Sequence, residues 1–98
     1  MNIDDFRAEL ETRLIIEKEY ISQELSSIDN YQERLELLGK FNEKYKELIR
    51  RIANEEGVDL NASYPAENLS YNQIILGKTM SIYDRLADEL YEKITTLH

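Results

Sequence analysis

Apolar residues in this chain recur at intervals of three and four, and that spacing limits what it can fold into. Ile3, Phe6, Leu10, Leu14, Ile21, Leu25 and Ile28 form one such stripe. Tyr31, Leu35, Leu38, Phe41, Tyr45, Leu48, Ile49 and Ile52 form a second. Ile75, Leu76, Thr79, Ile82, Tyr83, Leu86, Leu90, Ile94 and Leu97 form a third. These intervals keep side chains on one face of a 3.6-residue helix, whereas a strand would alternate. The expected fold is all-α, an antiparallel helical hairpin plus a third long helix in a three-helix bundle. A break at Gly77, with Thr79 as a new cap, would make it four helices. A dimer is compatible with either.

Punctuation between the stripes sets the expected boundaries: helices over about 3–27, 30–56 and 66–96, with a loop over 57–69. Asn2 is placed to cap the first helix, with Asp4 and Asp5 in its first turn near the positive end of the dipole. Ser26-Ser27-Ile28-Asp29-Asn30 supplies a short turn. There Asp29 can cap the second helix, with Gln32 three residues on. Gly39 weakens the second helix slightly, and Gly57 suits the position after its end. Pro65 fits a first helical turn, and Ser70 with Gln73 has the form of a capping box. The loop is longer than the roughly 2–8 residues usual between bundled helices. Val58, Leu60 and Tyr64 can close the core from it. A chain of 98 residues makes one domain.

The residue inventory narrows the chemistry. There is no cysteine, and the one histidine is His98, expected to be frayed. Thiolate nucleophiles and cysteine metal sites are thereby excluded, and the commonest general base is missing from the folded part. No phosphate loop, nucleophile elbow or Glu-x-x-His pair occurs. No catalytic, metal-binding or cofactor-binding residue is therefore assigned, and the expectation is a protein that is not an enzyme. A formal charge of −8 disfavours nucleic acid and favours a partner with a basic surface. No apolar run approaches the roughly twenty residues of a membrane span, and the acidic start does not resemble a signal peptide. A cytoplasmic location without membrane contact is expected, so the acceptor motif Asn61-Ala62-Ser63 carries no weight.

Four groups of residues stand out. Tyr64 and Tyr71 flank the end of the loop with Glu67 between them and Asp59 nearby. Tyrosines are apolar in body and polar at the tip, which makes this the expected protein-binding patch. Glu17 interrupts the first stripe, where Arg13 one turn back can pair with it. Ile15, Ile16 and Tyr20 lie off that stripe and are expected to pack on a second neighbouring helix, a dimer contact being the alternative. Lys40, Lys44, Lys46, Arg50 and Arg51 give the second helix a basic face, expected to be laced with Glu43 and Glu47. Tyr31, Tyr45 and Tyr83 are expected in the core, as are Leu10, Leu38, Phe41, Leu86 and Leu90. The expected function is a small acidic helical module of the inhibitor or immunity type that binds another protein. The alternative is a self-associating structural or adaptor protein with coiled-coil-like helices.

Overall fold

The structure is a computed structural model that describes residues 2–96. Leu97 and His98, named above, lie outside the described residues. Three helices follow in order: α1 (Ile3–Leu25), α2 (Tyr31–Glu55) and α3 (Tyr71–Thr96), each packed on the other two. At 1.5 Å per residue each is about 35–39 Å long, which accounts for a rod of 50 × 22 × 18 Å.

Side-chain pairs fix the helix directions. Arg13 meets Glu55 and Lys40 meets Glu24, so α1 and α2 are antiparallel. Asn42 donates to the Tyr83 hydroxyl at 3.0 Å, and the Tyr45 and Thr79 hydroxyls are bonded at 2.8 Å, so α2 and α3 are antiparallel. Arg7 donates to the Lys78 carbonyl, Lys18 pairs with Glu89, and Lys93 donates to Ser22. All three pairs are 71 residues apart, so α1 and α3 are parallel.

The stripes form the core. Phe6, Leu10, Leu14, Ile21 and Leu25 of α1 meet Phe41, Tyr45, Leu48 and Ile52 of α2 and Ile75, Ile82, Leu86, Leu90 and Ile94 of α3. Tyr83 stacks on both Phe41 and Tyr45, at 5.4 and 4.6 Å between ring centroids. Thr79 is buried without cost because its hydroxyl donates to the Ile75 carbonyl at 2.7 Å and also bonds Tyr45. Burial pushes the Tyr45 phenol above its ordinary range, and the Thr79 bond partly opposes that.

Several local expectations need correction. α1 ends at Leu25, where Ser26, Ser27 and Ile28 turn back by bonding the carbonyls of Gln23, Glu24 and Leu25. The α2 cap is Asn30, not Asp29; its side chain accepts from the Glu33 N–H at 3.1 Å, one residue later than the Asp29 and Gln32 frame. The inner face of α2 begins Arg34, Leu37, Phe41. Leu37 is buried, and Leu38 is only partly so. The face was misread because a charged residue leads it: Arg34 is 8% exposed and donates to the Ile28 carbonyl at 2.7 Å, pinning the turn. Tyr31, the first residue of α2, is 46% exposed. Helix α3 is unbroken at Gly77 and begins at Tyr71, so Pro65 is not in its first turn.

Arg13 does not pair with Glu17. It makes two bonds to Glu55, at 2.7 and 2.8 Å, and one to Glu9 at 2.8 Å. The guanidinium fork matches the Glu55 carboxylate with two bonds, whereas Glu9 on the same helix takes one. Glu17 is left half-buried at the edge of the α1 and α2 seam.

Candidate protein-binding surface

Residues 56–70 connect α2 to α3, and the helices run antiparallel, so the ends to be joined lie at the same end of the rod. The segment has two parts with different work. In the first, Gly57 turns the chain out of α2 at φ 68, and Val58 and Leu60 pack against the core. The Asp59 carboxylate accepts from the Asn61 N–H at 2.9 Å, a local turn bond. The carbonyls of Leu60 and Ala62 then accept from the N–H groups of Asn72 and Tyr71, at 3.0 and 2.9 Å. Those N–H groups open α3 and have no intrahelical partner. Ser70 and Gln73 complete the cap: the Ser70 N–H donates to Gln73 Oε1 at 2.9 Å, and the Gln73 N–H donates to Ser70 Oγ at 3.2 Å. The expected capping box is present.

The second part, residues 63–70, leaves that cap and comes straight back to it. Ser63 and Ser70 face each other in an isolated antiparallel bridge, and the Tyr64 N–H donates to the Leu69 carbonyl at 2.8 Å. At the tip the Glu67 N–H closes a turn on the Tyr64 carbonyl at 3.2 Å. Pro65 occupies the second position of that turn and Ala66 the third, at φ 65. Proline followed by a positive φ is the type II pattern, which favours glycine where this chain has alanine. The excursion therefore holds a residue in a disfavoured backbone region and does nothing to connect the helices.

The excursion brings the two tyrosines together. Tyr64 and Tyr71 meet edge to face, with ring centroids 5.2 Å apart at 76°. Both are half-buried; Tyr71 packs against the core, and neither hydroxyl has a hydrogen-bond partner among the described residues. Glu67 and Asp59 are exposed, Glu67 at the tip and Asp59 in the first part of the segment. Leu69, not singled out from the sequence, is 41% exposed beside them. It stands outside every helical stripe, so periodicity could not mark it.

A second surface departs from expectation. Ile15, Ile16 and Tyr20 are 39%, 49% and 60% exposed, so packing within the chain does not cover them. Ile15 sits on the α3 edge of α1, between Glu11 and Lys18, which pair with Arg85 and Glu89. Ile16 and Tyr20 are one turn apart on the α2 edge. The basic face of α2 is laced with acids as expected: Lys44 and Arg51 both reach Glu47, and Lys46 reaches Glu43.

No family model matches the chain, and no curated protein or solved structure matches it either. Among the described residues no helix is long and apolar enough to cross a membrane.

Proposed function

We propose that this chain is a non-enzymatic protein-binding module, of the small acidic inhibitor or immunity type, that grips a partner through the excursion at residues 63–70. Tyr64 and Tyr71 are the anchors, with Leu69 beside them, and Glu67 and Asp59 supply the charge that draws a basic surface. The observation that carries this reading is the closure of the excursion on itself. Its outer residues, 64–69, neither join helices nor cap one, and they hold Ala66 at a positive φ at a cost of about 1 kcal/mol. Strained loops on rigid scaffolds are characteristic of sites that touch other molecules. Rigid paired aromatics with free hydroxyls have little side-chain entropy left to lose on binding. The reading uses no metal, cofactor, nucleic acid or membrane, and a cysteine-free chain suits a cytoplasmic partner. A second reading, self-association as an adaptor, is favoured by the exposure of Ile16 and Tyr20.

The test is paired affinity capture from the native host, with the wild type and a Tyr64→Ala, Tyr71→Ala double variant as baits. A partner held by the first and released by the second is expected. The loss for each tyrosine should be about 2 kcal/mol, as for true interface anchors. A partner retained equally by both baits refutes this contact surface.

A further inference from the structure

We propose that the α1 and α2 face is where two copies of this chain pair, about a two-fold axis running along the rod. This inference is independent of the reading of the excursion. Its first support is the shape of the face. Ile16 and Tyr20 stand exposed beside an open groove of about 520 Å³, bounded by Glu17, Tyr20, Ile21 and Glu24 of α1 and by Lys40 and Lys44 of α2. A projecting aromatic and a recess on one surface meet the requirement of a two-fold interface, where one patch must fit itself.

Charge then selects the occupant and the axis. The groove has an acidic wall on α1, Glu17 and Glu24, and a basic wall on α2, Lys40 and Lys44. A two-fold across the rod would set α1 on α1, acid against acid. A two-fold along the rod sets the acidic α1 wall of each copy on the basic α2 wall of the other, and does so twice. Every helix of the resulting four-helix layer is antiparallel to its neighbours, the arrangement of an up-down bundle. The net charge of −8 opposes association, and the paired walls act against that repulsion. The same axis leaves both 63–70 excursions at one end of the dimer.

The experiment is sedimentation equilibrium from about 1 to 500 µM, since dimer population follows protomer concentration. Three proteins are needed: the wild type; an all-acidic variant, Lys40→Glu with Lys44→Glu; and an all-basic variant, Glu17→Lys with Glu24→Lys. All four reversals touch the seam, so unchanged helical circular dichroism is confirmed first; Ile16→Ser with Tyr20→Ser is the substitute should a charge variant not fold. The wild type should dimerise. Each single-sign variant should be monomeric alone, and the two should pair when mixed. A wild type that stays monomeric at the highest concentration overturns the proposal. So does a dimer that the charge reversals or the serine pair leave unweakened, or a failure of the two charge variants to pair.

Discussion

Replacing residues 64–69 by Asn-Gly tests whether the excursion is free of structural work. Asn-Gly makes the two-residue hairpin turn, and Ser63 and Ser70 already face each other across an antiparallel bridge, so the cut ends are in register. The replacement keeps the Ser70 and Gln73 capping box and the carbonyls of Leu60 and Ala62 that close α3. It removes the edge contact between Tyr64 and Tyr71, worth about 0.5–1.5 kcal/mol. It also removes the positive φ at Ala66, which returns about 1 kcal/mol. A connection four residues shorter gains only about 0.3 kcal/mol of closure entropy. These terms nearly cancel, so stability should change by less than about 1 kcal/mol, and Tm by no more than about 8 °C. Urea unfolding followed by circular dichroism at 222 nm checks this, with an unchanged m-value showing that the same surface is exposed. A loss of more than about 3 kcal/mol would refute the reasoning, because it would mean that the excursion braces the fold. Binding to the partner should disappear even though stability is kept.

Two further outcomes follow from the packing. Leu37→Ala should cost about 2–5 kcal/mol and Leu38→Ala distinctly less, since only Leu37 is buried; chemical unfolding of the two variants in parallel gives the order, and a reversed order would mean that the α2 face is wrongly assigned. Arg13 hydrogen bonds hold the Glu55 carboxyl below its ordinary value of 4.5. A lowered folded-state pKa adds stability that is complete above the unfolded value and is lost as pH falls through the folded one. Arg13→Met should therefore be less stable than wild type at pH 7, with the gap closing below about pH 4 in urea titrations at each pH. A gap that persists unchanged in acid would show that the arginine acts by packing.

The three helices are legible because apolar residues at intervals of three and four outnumber the interruptions at Glu17 and Arg34. Leu10, Phe41, Leu86 and Leu90 are buried as their stripes require. The caps at Asn2 and Ser70 were legible because each is a local device, a side chain reaching three residues along the chain. Leu38 and Tyr31 were misplaced because the true α2 face starts with Arg34. Only the folded turn supplies the carbonyl that makes that arginine tolerable inside. Arg13 was misassigned for a similar reason: Glu17 is near in sequence, but Glu55 offers two oxygens from across the seam. At the candidate surface, spacing marked Tyr64 and Tyr71 as uncommitted to a stripe. That they meet edge to face depends on a return of the chain that no helical period encodes.

The register of 71 residues between α1 and α3 has a consequence for how the molecule comes apart. In sequence separation the chain is two overlapping hairpins, α1 with α2 and α2 with α3. The seam between α1 and α3 closes the longest loop, 71 residues. Contacts that close such long loops repay their entropy late. Helix α2 belongs to both hairpins, so partial opening of either end of the chain leaves it packed on one neighbour. Its mid-helix amides, around Phe41 to Ile49, should exchange with solvent only through global unfolding. Amides of α1 and α3 should exchange through smaller openings that release one outer helix at a time.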